Sequence, residues 1–416
     1  MRSLVSDQVA YAQAVVAQLW PAASPPTLTS RPTLRSQSED QHEWFLLPNP
    51  RRPTLLVPSG VRQASRMLQR HGDRRLPRLT RAGLAKAIQA GLMRQSPMSR
   101  LQVSDSAESH RGSDGSVLDH IAQAVPGVQA CGLILGTPRP NRKPVLQLFA
   151  ADGTTIGFAK IGMTPATRRL VRTEAANLEV VGSAELRLLE VPKILHLGTF
   201  NNADVLVLSP MESSQERRER QMPLPAMREL AHFSALESQP LTSSDYWRGL
   251  ERDVAESGNA PGASRTGELM GRVSSRWSTT RIDLGNWHGD WAPWNMGSHN
   301  GIVQLWDWER FSSPVPIGFD AIHFAAQGVR HNRPDTAELE EELISRAEGL
   351  LAEMNSPAGV EHPRLVLALY LLTLSSRFAQ MAAESQTQTL HPRARWGLEF
   401  AARIISGNHD SAVRVP

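Results

Sequence analysis

The sequence predicts an α+β chain in which a small antiparallel lobe with one helix is followed by a mainly helical lobe. Three observations carry that expectation. Strand signals cluster between residues 130 and 208, helical period dominates after Pro210, and the first 125 residues differ from both in composition and charge. The predicted organisation is therefore 1–125, a basic N-terminal module; 126–210, a β-rich lobe; and 211–410, a helical lobe.

The module opens with an Ala/Val-rich stretch interrupted by Asp7, Gln8, Gln13 and Gln18, which predicts an amphipathic helix ending before Pro21 rather than a leader peptide. Ser24 to Asp40 loses hydrophobic period and reads as a loop. A polar break from Ser104 to Ser116 precedes a short helix. Residues 51–100 hold eleven arginines and Lys86 against Asp73 alone, although the whole chain carries only +4. Such a window suits an anionic partner, but a solvated helical region gives the same count, so nucleic acid is not the expected partner.

Three strands then follow at Gly132–Leu135, Val145–Phe149 and Thr155–Ile161, joined by Gly, Pro and Asn turns as an antiparallel meander. A helix is expected from about Thr164 to Gly182, then strands at Leu186–Leu197 and Val205–Leu208, for five strands and one helix. Downstream, Leu339, Leu343, Ala347, Leu350 and Met354 are spaced for one apolar helical face, with Glu338, Glu340, Glu341, Glu342, Glu348 and Glu353 mostly on its solvated side.

Composition bounds the function. With 40% hydrophobic and 21% charged residues, the chain reads as an ordinary globular protein. The apolar run around Leu365 to Leu374 is short of a membrane span and reads as a buried helix. The one cysteine, Cys131, excludes an intramolecular disulfide framework and a multi-cysteine zinc site, and fits a reducing cytoplasm. Only four of the 45 basic residues are lysines: Lys86, Lys143, Lys160 and Lys193.

The chemistry concentrates at Trp287-His288-Gly289-Asp290-Trp291-Ala292-Pro293-Trp294-Asn295, followed by Ile302 to Trp306 and then Asp307-Trp308-Glu309. One carboxylate, an amide five residues on, and a second carboxylate after a short hairpin make a set suited to phosphoryl transfer. Asp290 is placed to orient a hydroxyl and accept its proton, while Asn295 and Asp307 offer hard oxygen ligands for Mg²⁺ on nucleotide phosphates.

This pattern, His-Gly-Asp-x4-Asn followed by Asp-x-Glu, resembles the aminoglycoside phosphotransferase family of protein-kinase-like small-molecule kinases, over roughly residues 130–405. The resemblance implies a two-lobed protein-kinase-like fold binding ATP or GTP with Mg²⁺ in the interlobe cleft. It implies Asp290 as catalytic base, with His288 beside it among the catalytic residues. Asn295 and Asp307 would be metal ligands, Gly289 would shape the loop, and Asp320 would hold it from behind. Ser209 to Met211, at the strand-to-helix junction, would hold the base of the nucleotide.

The upstream lobe offers an independent check. Lys160 lies in the third strand, and Glu174 follows 14 residues later in the lobe's helix, on a face shared with Leu170, Leu178 and Val181. A carboxylate on an apolar face needs a buried partner. The resemblance makes that partner Lys160, which would also meet the nucleotide phosphates.

The sequence departs from the pattern where no G-x-G-x-x-G follows the first strand. The turn there reads Gly136-Thr-Pro-Arg139-Pro-Asn-Arg142-Lys143, a solvated turn more readily than a phosphate grip. His71-Gly72-Asp73 is a decoy, lacking the following Asn. Half of the ten tryptophans lie in the loop region; Trp291, Trp306 and Trp308 are expected in the core and Trp294 beside a substrate. The expected activity is transfer of a γ-phosphoryl group to a small-molecule hydroxyl in an antibiotic, sugar or amino alcohol. The alternative is a nucleotide-binding pseudokinase or scaffold whose basic module binds a phosphorylated or nucleic-acid partner.

Overall fold

A computed structural model describes residues 3–21, 24–29, 41–71, 99–104, 115–137, 141–212, 221–234, 237–330 and 336–407. The chain divides into two compact units. Unit 1 comprises residues 1–179 and 192–211, and unit 2 comprises 180–191 and 212–416.

Among the described residues, unit 1 is built on a nine-stranded antiparallel sheet. Its strands are β1 (Thr27–Thr29), β2 (Gln41–Leu47), β3 (Leu55–Pro58), β4 (Arg100–Ser104), β5 (Ala130–Ile134), β6 (Val145–Phe149), β7 (Thr155–Gly162), β9 (Ile194–Phe200) and β10 (Ala203–Leu208). Their order is β1-β4-β2-β3-β5-β6-β7-β10-β9. The expected meander is β5-β6-β7, and β10 and β9 complete the five predicted strands. The predicted strand from Leu186 to Leu197 is instead broken at Pro192, a residue without a backbone donor, into β8 (Leu189–Glu190) and β9.

The N-terminal segment is not a module apart. Strand β3 pairs with β5 through Leu55–Ile134 and Leu56–Leu133, which makes β1 to β4 a continuation of the same sheet. One apolar core explains the union. Val15, Val16 and Leu19 of α1 (Ser3–Leu19) and Trp44 of β2 are buried with Leu133, Leu146, Ala159 and Val205. Splitting the sheet at residue 125 would expose that face to water. The Trp44 indole N–H donates to the Cys131 carbonyl at 2.8 Å, tying the two stretches directly. Arg142, in the turn before β6, donates to Gln8 of α1 at 2.6 Å and stacks over Tyr11, so it is a packing residue. Most of the basic window lies outside the described residues, including Arg74, Arg75, Arg78, Arg81, Lys86 and Arg94. So do Gly72 and Asp73 of the decoy, and Arg139.

Helix α2 (Val61–His71) packs on β3, and α3 (Val117–Ala124) begins at a capping box in which Ser116 and Asp119 satisfy each other's backbone donors. Helix α4 (Pro165–Gly182) starts where the Thr164 and Thr167 backbone N–H groups each donate to the other's hydroxyl, at 2.9 and 3.2 Å. Its buried face runs through Thr167, Val171, Glu174, Ala175, Leu178 and Val181. Leu170, predicted on that face, is half-buried beside it.

Unit 2 is mainly helical. Among the described residues, helices α5 (Leu224–His232), α6 (Asp245–Glu256), α7 (Ala263–Trp277), α8 (Phe319–Arg330), α9 (Thr336–Glu353), α10 (Pro357–Glu361), α11 (Pro363–Glu384) and α12 (Pro392–Ser406) accompany three small sheets, one of them β11 (Gln239–Pro240) paired with β12 (Arg281–Ile282). The run at Leu365 extends into the 22-residue α11, which is long and apolar enough to cross a membrane but is mostly buried among α6, α7, α9 and α12. On α9, Leu343, Ala347 and Leu350 are buried as expected, as is Met354 just past its end; the side chain of Leu339, expected on the same face, lies outside the described residues. Glu340 departs from expectation, because it is buried and paired with Arg403 while accepting from the Trp396 indole at 3.2 Å.

The sheets that matter for the site are β13 (Leu284–Trp287) with β16 (Ser312–Pro316), and the hairpin β14 (Met296–His299) with β15 (Ile302–Leu305), whose outer partner is β8. The hairpin turns at Asn300-Gly301, both with positive φ, as a two-residue turn of matching twist requires.

Candidate functional site

In unit 1, Lys160 projects from β7, between β6 and β10, where it lies opposite Val145 and Leu206. Its Nζ meets Glu174 Oε1 at 2.5 Å, with the Glu174 side chain fully buried and that of Lys160 9% exposed. The helix is set against the sheet by a second ionic group that sequence reasoning missed. Asp204 on β10 accepts from Arg172 at 2.7 and 3.1 Å and faces Arg168 at 3.3 Å. Burial would raise the Asp204 pKa, but the two guanidinium groups hold it below the usual carboxylate range.

Ser209 follows β10. Its N–H donates to the Lys193 carbonyl at 2.8 Å and its hydroxyl accepts from Lys193 N at 2.9 Å. The backbone donor is thus engaged locally, and Ser209 can offer a ligand its carbonyl and its hydroxyl proton. Met211 is 7% exposed.

In unit 2, β13 delivers the chain into His288-Gly289-Asp290. The turn demands glycine: Gly289 has φ +84°, and a Cβ there would lie 2.3 Å from the Arg310 carbonyl oxygen. Asp320, in the first turn of α8, accepts from the His288 N–H at 2.7 Å and the Gly289 N–H at 3.2 Å. Burial pushes the Asp320 carboxyl up to about 7, against the opposing effect of those two donors and Arg377.

His288 is fully buried, and both ring nitrogens have backbone partners. Nε2 faces the Trp306 carbonyl at 3.1 Å, and Nδ1 accepts from the Asp290 N–H at 3.3 Å. A carbonyl only accepts, so the proton resides on Nε2 and no lone pair remains for a substrate proton. Burial lowers its pKa to about 4, in spite of Asp290, Asp307 and the carbonyl. His288 therefore departs from its assignment among the catalytic groups: it is a strut between the loop and Trp306.

The Asp290 side chain remains 42% exposed. Its Oδ2 accepts from Asn295 Nδ2 at 3.0 Å, and its carbonyl accepts from the same nitrogen at 2.9 Å. That commits the Asn295 amide nitrogen and leaves Oδ1 as the atom suited to a cation. Burial would raise the Asp290 pKa, but the hydrogen-bonding contact with His323 opposes it and the carboxyl stays below its usual range.

Asn295 and Asp307 flank the hairpin. Met296 pairs with Leu305, and Trp306 N–H donates to the Asn295 carbonyl at 3.1 Å, so the two ends of the hairpin are adjacent. Asp307 itself adopts the left-handed region, φ +70° and ψ +57°. A non-glycine residue held there is conformationally costly, and such residues cluster at functional sites. Glu309 lies in the 3₁₀ turn that follows.

Trp287, Trp291 and Trp308 are fully buried. Trp306 is half-buried, contrary to its expected place in the core, and Trp294 is also half-buried.

Three residues far away in sequence complete the loop's support. His323 on α8 faces Asp290 Oδ1 at 3.3 Å and Tyr370 Oη at 2.9 Å. Arg377 on α11 donates to the Gly289 carbonyl at 2.9 Å and the Arg310 carbonyl at 3.3 Å, and its guanidinium lies 4.1 Å from the Trp287 ring centroid. Burial lowers the Arg377 pKa to about 10, with a contribution from Arg310, so it stays cationic at neutral pH. None of the three has a local signature beyond a single polar residue on an apolar helix face.

Among the described residues, no group of three or more His, Cys, Asp or Glu is arranged to hold a metal alone. A two-residue oxygen set, Asn295 Oδ1 and the Asp307 carboxylate, fits Mg²⁺, which typically takes one or two protein ligands and completes its shell with water and phosphate.

No protein-family model matches the chain, and no curated protein matches it. Among solved structures, it is similar to a thermostable mutant of aminoglycoside phosphotransferase APH(4)-Ia, with 13% identity, TM-score 0.46, and coverage of 71% of this chain and 100% of the other. Choline kinase LicA from Streptococcus pneumoniae aligns at 13% identity and TM-score 0.44, over 70% of this chain and 98% of that one. A putative fructosamine-3-kinase from Haemophilus somnus 129PT aligns at 13% identity and TM-score 0.40, over 69% and 96%.

Proposed function

We propose that the chain is a phosphotransferase that moves the γ-phosphoryl group of ATP or GTP to a hydroxyl of a small molecule. The observation that carries this reading is the Asp290–Asn295 pair. A half-exposed carboxylate is kept anionic while its neighbour's amide nitrogen is tied to it, leaving the amide oxygen for a cation.

Asp290 orients the acceptor hydroxyl and takes its proton as the acceptor oxygen bonds to the γ-phosphorus. The bond from that phosphorus to the β,γ-bridging oxygen breaks, and the nucleoside diphosphate leaves with the electron pair. Asn295 Oδ1 and the Asp307 carboxylate would hold Mg²⁺, which when bound neutralises charge on the nucleotide's phosphate oxygens. Lys160, oriented by Glu174, binds phosphate. Asp320, His288, Gly289 and Arg377 keep the loop in one geometry, so that Asp290 does not have to be ordered at each turnover. Trp294 is the candidate wall for a sugar ring or a cationic acceptor.

Asp290→Ala tests the reading. Nucleotide binding by calorimetry should stay within about threefold of the unsubstituted protein, while transfer to a cognate acceptor falls by about 10²- to 10⁴-fold, the usual range for loss of a general base. Retained transfer would overturn the assignment.

A further inference from the structure

We infer that His323 is a positioning residue for Asp290, donating a hydrogen bond from Nε2 to Oδ1 and thereby fixing which carboxylate oxygen faces the acceptor. The inference rests on the proposed role of Asp290 and adds a residue that the loop motif does not contain.

The chain of contacts determines the proton positions. His323 Nδ1 lies 2.9 Å from Tyr370 Oη, and Nε2 lies 3.3 Å from Asp290 Oδ1. Burial raises the Tyr370 pKa to about 12 and lowers that of His323, so the phenol keeps its proton and the imidazole stays neutral. A neutral imidazole has one N–H. The carboxylate oxygen only accepts and the phenol has a proton to give, so the consistent arrangement is Tyr370 O–H to Nδ1 and Nε2–H to Asp290. Gln327, one turn along α8, has its amide nitrogen 3.1 Å from the same Nε2. Two donors do not face each other, so the Nε2–H tautomer requires this amide turned by 180°, with its oxygen sharing the proton alongside Asp290.

Asp290 is then gripped at both oxygens, Oδ1 by His323 and Oδ2 by Asn295, while 42% of its side chain remains open. His323, Tyr370 and Gln327 are 2%, 0% and 4% exposed, so water does not replace the contact. Asn295 is the member of this grip that would also serve the cation. His323 is the member devoted to the carboxylate alone.

Two measurements test the inference on the full-length protein. The first is ¹⁵N NMR of histidine-labelled protein, with His323→Gln used to assign the signal. A neutral Nε2–H tautomer whose shifts move in Asp290→Asn is expected. An Nδ1–H tautomer, or no response to Asp290→Asn, overturns the inference whether or not the protein transfers phosphate.

The second is kinetics. Loss of a hydrogen bond to a charged group predicts that His323→Phe lowers kcat about 10- to 100-fold while the nucleotide KM stays within about twofold. His323→Gln, which keeps a donor, should recover most of the loss. Tyr370→Phe, which removes the group setting the tautomer, should lower kcat by a smaller factor. Unchanged kcat in a folded His323→Phe, or no rescue by His323→Gln, overturns the positioning role. Absence of transfer by the unsubstituted protein would overturn the phosphotransferase reading instead, leaving the NMR result to decide the hydrogen bond.

Discussion

Replacing one member of the Lys160–Glu174 pair should destabilise unit 1 far more than replacing both. The pair is 2.5 Å long, with the Glu174 side chain fully buried and that of Lys160 9% exposed. Neither partner can swing to water without dismantling something else. Lys160 is in a strand paired on both sides, and α4 is held by Val171, Ala175 and Leu178 and by the Arg172–Asp204 bridge. Breaking a buried pair from one side leaves an uncompensated charge and costs about 3–5 kcal/mol. That is a large share of the 5–15 kcal/mol by which domains are commonly stable. Lys160→Met and Glu174→Leu should each show this loss, and the double variant should lose less than either single variant, because two apolar side chains can replace the pair. Native-state hydrogen exchange of peptides spanning residues 155–182 reads the loss where it arises. The recovered double variant should still fail to transfer phosphate, separating stability from the phosphate-binding role of Lys160. Single losses below about 1 kcal/mol, or simple additivity, would refute the reasoning.

Two further substitutions probe the loop. Gly289→Ala should cost at least about 2 kcal/mol and abolish transfer, because it combines left-handed backbone with a Cβ 2.3 Å from the Arg310 carbonyl; thermal unfolding and turnover measure the two effects. For His288, the folded pKa of about 4 lies below the ordinary value near 6.5, so the unfolded chain binds the extra proton first. Its neutral form favours the fold fully above pH 6.5, and that stability is lost as pH falls towards 4, by roughly 3 kcal/mol. Urea midpoints between pH 7 and 4.5 should therefore fall less steeply in His288→Asn than in the unsubstituted protein.

Local signals were legible in the sequence. The β5-β6-β7 meander and α4 rest on short-range periodicity and turn chemistry. Asp290, Asn295 and Asp307 are joined by a hairpin short enough to be read from spacing alone. What escaped was set by distant partners. The N-terminal segment looked separate because its charge and its polar breaks are local. What unites it with the sheet is the pairing of β3 with β5 and the burial of Trp44 against Cys131, 87 residues away. His323 and Arg377 act across 33 and 88 residues, and a lone histidine or arginine on an apolar helix announces no target. Glu340 looked solvated by its neighbours in sequence, and only the arrival of α12 supplies Arg403. The face of α4 was misplaced by one position, Leu170 for Val171, because a helical stripe leaves that choice to the surface it packs on.

The central claim is tested most directly by following γ-labelled ATP with Mg²⁺ and a panel of amino sugars, macrolides, amino alcohols and nucleosides, with mass spectrometry of the products. The account predicts label in the hydroxyl of at least one acceptor, and its disappearance in Asp290→Ala. Label released only to water, label retained in ATP across the panel, or an acceptor phosphorylated equally well by Asp290→Ala would contradict it.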